Sequence, residues 1–309
     1  MKRLSVIVPC YNEEESIPFF YKAMEEIQDK IHYKFEYIFV NDGSSDATLK
    51  VMRELHAKDR EKVRYLSFSR NFGKEAALYA GLKESTGELV TVMDVDLQDP
   101  PELLPDMIRG IIHEGYDCVG TRRADRKGEP VIRSLFAKMF YKLENKVSTT
   151  PMIDGARDYR LMSRQMVNAI LEMAEYNRFS KGLFSWVGFQ TKYISFDNVE
   201  REHGETSWNF FSLFKYSIEG IINFSDFPLK IATLFGMLSF VVSIILMLFF
   251  FFRTLLFGNP TSGWTSMTVI ILFIGSIQLL ALGVIGEYVG RIFLETKKRP
   301  IYIVKEKSE

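Results

Sequence analysis

Along the first 120 or so positions, apolar residues come in short runs rich in β-branched and aromatic side chains: Leu4 to Pro9, Phe35 to Val40, Val63 to Phe68, Leu89 to Met93 and Asp117 to Thr121. Runs of this length and composition predict buried strands. Stretches with helical spacing separate them at Ser16 to Gln28, Ala47 to Lys58, Lys74 to Lys83 and Glu102 to Glu114, with Ser16 and Asp46 as N-cap candidates. Strict alternation of the two kinds of element predicts an α/β domain built on a mostly parallel, doubly wound sheet.

Beyond the fifth strand the pattern changes. Val131 to Val147 and Trp208 to Phe224 have aromatic faces with interspersed lysines, the pattern of amphipathic helices. Such helices suit a bilayer interface, where Lys138, Lys142 and Lys215 would reach lipid phosphates, or else pack on the sheet. Two unbroken apolar runs follow, Ile231 to Phe252 and Met267 to Ile285, each close to the length a helix needs to cross a hydrocarbon core about 30 Å thick. Lys230 precedes the first, and Arg291, Lys297, Lys298 and Arg299 follow the second, whereas the connection carries only Arg253. The positive-inside bias therefore predicts a two-pass integral membrane protein with head and both termini in the cytoplasm. The expected division is a catalytic-size head over 1–207, a juxtamembrane amphipathic helix over 208–228, two membrane helices within 229–290 (about 231–252 and 267–286) and a tail over 291–309.

Composition narrows the function. Lys plus Arg and Asp plus Glu both number 39, so no global basic field favours nucleic acid. Cys10 and Cys118 lie in strand-like stretches without metal-ligand spacing and read as buried thiols in a reducing compartment. Met1-Lys2-Arg3 leads straight into a strand pattern rather than an apolar targeting core, from which the head is expected to stay in the cytoplasm.

Ligands of an open parallel sheet bind beyond the carboxyl ends of its strands, and the polar clusters fall there: Pro9 to Glu13, Asn41 to Asp46, Arg70 to Lys74 and Asp94 to Asp99. Asp94 and Asp96 flank Val95; in an extended segment both carboxylates face one way and, with Gln98, offer hard oxygen ligands to Mg²⁺ or Mn²⁺. Such an ion would bridge a diphosphate. The alternative for this pair is a solvated acidic turn. Asp42 can accept a hydrogen bond from a base imide beside the Tyr11 ring, or simply form an Asp-Gly turn.

VIVPCYNEE, VNDGSSD and DVDLQDP, in this order and spacing, resemble the inverting nucleotide-sugar transferases of glycosyltransferase family 2, with a GT-A type, Rossmann-like head. DGARDYRLMSR (Asp154 to Arg164) and the two apolar runs make the chain similar to the polyprenyl-phosphate glycosyltransferases within that family. The resemblance implies that Pro9, Tyr11, Asn12, Glu13 and Asp42 surround a uridine, and that Asp94, Asp96 and Gln98 take metal and diphosphate. It places Arg122 and Arg133 at a lipid phosphate, Asp158 as an active-site carboxylate and Arg201, in RxxGxT, on the nucleotide diphosphate. Ser207 stands where relatives commonly carry Lys, so that any cation in this loop must be Arg201 or His203.

The implied reaction moves a hexose, glucose or N-acetylglucosamine, from a UDP-sugar to undecaprenyl phosphate. A phosphate monoester is largely dianionic at pH 7 and needs little base. Metal and arginines should then dominate, with Asp158 orienting Arg or sugar groups. Transfer to a diacylglycerol-type lipid, which would need a true base, and a non-catalytic membrane scaffold are the competing readings. The Gln-x-x-Arg-Trp motif of processive polysaccharide synthases is missing. Membrane lipids are expected partners, and Gly275, Gly283, Gly286 and Gly290 on the second apolar run suit close helix packing, in a homo-oligomer or against the first run.

Overall fold

The computed structural model describes residues 2–123, 153, 155–196, 227–257 and 263–308. Five strands, β1 (Arg3–Cys10), β2 (Lys34–Asn41), β3 (Val63–Phe68), β4 (Leu89–Val92) and β5 (Cys118–Arg123), alternate with α1 (Ser16–Gln28), α2 (Thr48–Lys58), α3 (Lys74–Glu84) and α4 (Leu104–Ile112), close to the expected bounds. α1 begins after Glu15 with no side-chain cap; the Ser16 hydroxyl instead donates to Glu13 Oε2 at 2.7 Å. Asp46 does serve the start of α2, accepting from the Thr48 amide at 3.0 Å.

Both faces of the sheet are covered, which is why its strands read as continuous apolar runs. Leu4, Val6 and Val8 of β1 and Phe35, Tyr37 and Phe39 of β2 pack with Phe20 and Met24 of α1 and Met107 of α4. The alternate residues Ile7, Ile38 and Val40 face the other side, where α3 lies. α3 meets the sheet through Ala76, Ala77, Ala80 and Gly81, and a Cβ on Gly81 would sit 2.3 Å from Ile7 Cγ2. A helix this close to the strands carries its first residue, Lys74, over their carboxyl ends.

The sheet departs from the mostly parallel expectation at two antiparallel strands, one of them inside it. Three further strands, β6 (Ala156–Ser163), β7 (Thr191–Phe196) and β8 (Val304–Lys307), complete the order β7-β5-β6-β4-β1-β2-β3-β8. β6 enters antiparallel between β4 and β5, so β5 never touches β4, and it runs into α5 (Arg164–Glu172). β6 escapes a hydrophobicity reading because only Tyr159 to Met162 are buried, and Arg160 is among them.

The expected interface helices, Val131 to Val147 and Trp208 to Phe224, lie outside the described residues. The apolar runs form α7 (Phe227–Phe257) and α8 (Trp264–Thr296), after a short α6 (Ser180–Trp186). Pro228–Leu246 and Phe273–Thr296 are long and apolar enough to cross a membrane, and neither window is buried. α7 and α8 pack on each other, yet a Cβ at Gly275, Gly283, Gly286 or Gly290 would meet no atom within 4 Å, so α8 does not use these glycines against α7.

The last residues return to the head. β8 pairs antiparallel with β3, Ser67 opposite Glu306, and the Ser308 and Tyr65 backbones are joined at 3.0 Å. Glu306 accepts from Arg53 Nε and from the Tyr65 hydroxyl, both at 2.8 Å, and Tyr302 stacks on Phe68 with ring centroids 4.9 Å apart. Hydrogen bonds from Arg53 and Tyr65 lower the Glu306 carboxyl to about 2. A depressed carboxyl stabilises the fold above its unfolded pKa, and that contribution is lost as pH falls through the folded value. Glu306→Gln should therefore cost about 1 kcal/mol near neutrality. The gap in thermal midpoint to wild type should close between about pH 4.5 and pH 2. A gap constant down to pH 2 would contradict this account.

Candidate active site

The loops after β1 and β2 are zipped together by backbone amides and short polar side chains. The Asn12 amide donates to Ser44 Oγ at 3.0 Å, the Ser45 amide to Asn12 Oδ1 at 2.9 Å, and the Glu13 amide to Thr48 Oγ1 at 2.8 Å. Asn12 pays for its tight turn with a left-handed φ of 56°, a conformation Asn tolerates better than most residues. Pro9, next to last in β1, is half-buried, and the Tyr11 ring projects, 51% exposed, beside this pair of loops.

Asp42 is buried, and both of its oxygens accept from the β3–α3 loop, from the Phe72 amide at 2.6 Å and the Gly73 amide at 2.9 Å. Burial pushes its carboxyl up, against the pull of these two amides and of Arg70. Its observed role is to hold the start of α3, where a negative charge also meets the positive end of the helix. The next residue, Gly43, has φ 66°, and a Cβ there would lie 2.3 Å from the Arg70 carbonyl carbon, so only glycine allows the loops to approach this closely.

β6 supplies the centre. Its register with β4 pairs Leu89 with Ser163 and Val92 with Arg160. Asp94 follows the end of β4 by two residues and Asp158 precedes Arg160 by two on β6, so both come to the same end of the ladder. Lys74 Nζ lies between them, 2.6 Å from Asp94 Oδ1 and 2.7 Å from Asp158 Oδ2. Burial opposes the charge on Lys74, but Asp158 and Asp94 raise it well above the ordinary amine value. Burial likewise would raise Asp158, and Lys74, Lys181 and Arg160 outweigh it, holding this carboxyl well below the usual carboxylate range. Lys181 itself is lowered by burial, partly offset by Asp158.

Secondary contacts fix each member. Glu75 accepts from the Ser180 amide at 2.9 Å and from its hydroxyl, anchoring the first turn of α6 and with it Lys181. The Arg160 guanidinium donates to the Arg157 carbonyl at 3.0 Å and lies 3.7 Å over the Phe184 ring. Arg157 Nε donates to Asp99 Oδ1 at 2.9 Å and another guanidinium nitrogen reaches Gln98 Oε1 at 3.4 Å.

Asp94, Val95 and Asp96 form a turn rather than the expected extended segment, and the Gln98 amide donates to Asp96 Oδ1 at 3.2 Å, with Leu97 at φ 54°. Among the described residues no three His, Cys, Asp or Glu side chains form a group able to hold an ion. Two carboxylates and an amide oxygen on one turn do fit Mg²⁺ or Mn²⁺ that completes its shell with substrate phosphate and water. Arg122 lies at the end of β5, its Nε donating to Ser195 Oγ of β7 at 2.8 Å. Arg133, Arg201, His203 and Ser207 lie outside the described residues.

The structure thus brings Asp94 and Asp158 together, places Lys74 of the Arg70 to Lys74 cluster between them, and adds Lys181, Glu75 and Arg160, to which the sequence reading gave no role. Lys74 had a visible signal, its place at the end of the Arg70 to Lys74 cluster and the start of a helix, though its bridging role had none; Lys181 and Glu75 had no signal. Replacing Lys74 by Met leaves two carboxylates facing each other and should lower stability by about 1–2 kcal/mol in this partly open cleft. Adding Asp158→Asn should restore part of that loss. Additive effects of the two changes on the thermal midpoint would contradict the bridge.

Comparisons with known proteins bear on what this cleft does. The family described as Glycosyl transferase family 2 matches residues 5–171. Over 303 residues the chain is 46% identical to a Bacillus subtilis (strain 168) protein named putative glycosyltransferase CsbB, covering 98% of this chain and 91% of that one. Over 306 residues it is 44% identical to a bactoprenol glucosyl transferase of Shigella phage SfX, covering 99% of this chain and 100% of that one.

Proposed function

The chain belongs to glycosyl transferase family 2 and is a glycosyltransferase with a Rossmann-like head of GT-A type, and from that premise we propose that it transfers a hexose from a UDP-sugar to undecaprenyl phosphate, with inversion, at the cytoplasmic face of a membrane. The observation that carries this reading is the union, in one chain, of the Lys74-bridged acidic cleft at the strand ends with two helices long and apolar enough to cross a membrane. Near full-length similarity to a protein named for glucosyl transfer to bactoprenol supports the lipid acceptor and glucose as the sugar, with N-acetylglucosamine the alternative donor group. The pairing of β8 with β3 supports a two-pass arrangement, since the chain leaves the head at α7 and is back on it after α8.

In this reading Pro9, Tyr11, Asn12 and Glu13 border the nucleotide, and Asp42 shapes that border through the Phe72 and Gly73 amides. Asp94, Asp96 and Gln98 would hold Mg²⁺ or Mn²⁺, and the ion would supply positive charge against a departing diphosphate. Arg122 and Arg133 receive the lipid phosphate, and Arg201 the nucleotide diphosphate. A phosphate oxygen of the lipid forms the new bond to the anomeric carbon as the bond from that carbon to the diphosphate breaks. The acceptor arrives already ionised, so the work of the site is alignment and charge compensation.

Asp158 suits that division of labour. A carboxylate held well below its usual range by Lys74 and Lys181 is a poor proton acceptor and a good fixed counter-charge. It orients Lys74 and sugar hydroxyls rather than taking a proton.

The direct test is transfer from a panel of radiolabelled UDP-sugars to undecaprenyl phosphate in detergent, with Mn²⁺ or Mg²⁺ and with chelator. The expected result is a metal-dependent, lipid-extractable glycolipid from one donor, reduced about 100-fold or more in Asp96→Ala. No product from any donor, with the protein folded, would overturn the reading. For Asp158→Asn the expected loss is also about 100-fold, with the shape of the pH–rate profile between about pH 6 and 9 unchanged. Loss of an ionisation from that profile would make Asp158 a base instead.

A further inference from the structure

A cavity of about 670 Å³ lies away from the strand ends, where α8 and the returning chain meet α3 and the segment after α5. Its lining includes Lys83, Lys298 and Arg299, and among the described residues none of the three has an ion-pair partner or hydrogen bond from its side chain. Glu295 also lines it, but Glu295 Oε1 is occupied by the Tyr176 amide at 2.9 Å. The lining thus carries three cations against one carboxylate, a net positive charge.

Three features say what it takes. The apolar window of α8 ends at Thr296, two residues before Lys298, so the cavity sits where that helix leaves its apolar stretch. Leu294 and Ile301 line it beside the cations, and the neighbouring Ile292 and Phe293 are exposed. Lys83 follows Lys74 by nine positions on α3, about 14 Å along the axis, which separates the cavity from the catalytic cleft. Cations backed by apolar side chains at such a level match a phosphate carried on a diacyl lipid.

We propose that this cavity binds the headgroup of an anionic phospholipid, at a site distinct from the acceptor site. The inference rests on the membrane-spanning reading above. Seated there, the lipid phosphate bridges Lys83 of the head with Lys298 and Arg299 at the foot of α8, and so ties the orientation of the head to the bilayer surface.

The test uses the full-length protein in a gentle detergent, incubated with phosphatidylglycerol or phosphatidylcholine, with native mass spectrometry reading the lipid retained. The expected result is phosphatidylglycerol retained about tenfold or more over phosphatidylcholine. A triple variant, Lys83→Ala with Lys298→Asn and Arg299→Ala, should lose that preference while keeping glycosyl transfer in detergent. Asn at 298 suits the left-handed backbone there, φ 47°. Equal retention of the two lipids, or a triple variant that retains phosphatidylglycerol as wild type does, would overturn the proposal. Displacement by millimolar inorganic phosphate would assign the site to a free anion and overturn the lipid. Alkaline carbonate extraction of membranes separates the two readings: release of the protein defeats the membrane-spanning reading and this site with it, whereas retention without lipid preference defeats the site alone.

Discussion

The ammonium of Lys74, held between Asp94 and Asp158, is the contact on which the arrangement of the cleft depends. Without a cation the two carboxylates, brought to the same end of the β4–β6 ladder, would repel at close range. Much of the surrounding structure serves to put Lys74 there. The small face of α3 lets the helix lie close on β1, Asp42 grips the amides at its start, and Gly43 lets the β2 and β3 loops touch. Glu75, one residue on, turns the same helix into the anchor for α6. The charges of the cleft are therefore set by a small number of backbone placements rather than by flexible surface side chains, and a site prepared in this way would lose little in reorganisation on binding the proposed diphosphate.

A second constraint acts at the other edge of the sheet. β8 closes the exposed side of β3, which would otherwise present unpaired amides and carbonyls. Because β8 follows α8 by only a few residues, the edge strand also fixes where that long helix ends relative to the head. Head and apolar helices are joined covalently at α7 and by a strand ladder after α8. On the proposed reading, with one substrate in water and the other in lipid, that double attachment would restrict how far the cleft can drift from the bilayer.

Local pattern made much of the first half of the fold legible. β3 and α1 begin and end where hydrophobic periodicity puts them, because burial on both faces of a parallel sheet leaves an uninterrupted apolar run and burial on one face of a helix leaves a 3.6-residue stripe. The candidate carboxylates were legible for a related reason: polar residues directly after a buried strand have few places to be except the sheet edge. Asp94 and Asp158 were named separately, but nothing local says that they meet. The turn at Asp94 to Asp96 was misread as extended because alternation around Val95 looks the same in a strand and in a turn whose middle residue is buried.

The sequence by itself determined the alternating α/β head, the polar clusters at its strand ends, the two apolar helices and the family resemblance, all of them properties of neighbouring residues. Tertiary structure alone decided that β6 runs antiparallel between β4 and β5, that β8 returns to β3, and that Lys74 bridges two carboxylates 64 positions apart in the chain. Strand pairing over such separations depends on which edges remain open once the rest of the sheet has formed. A strand like β6, charged at one end and buried at the other, shows its place only when its partners are there.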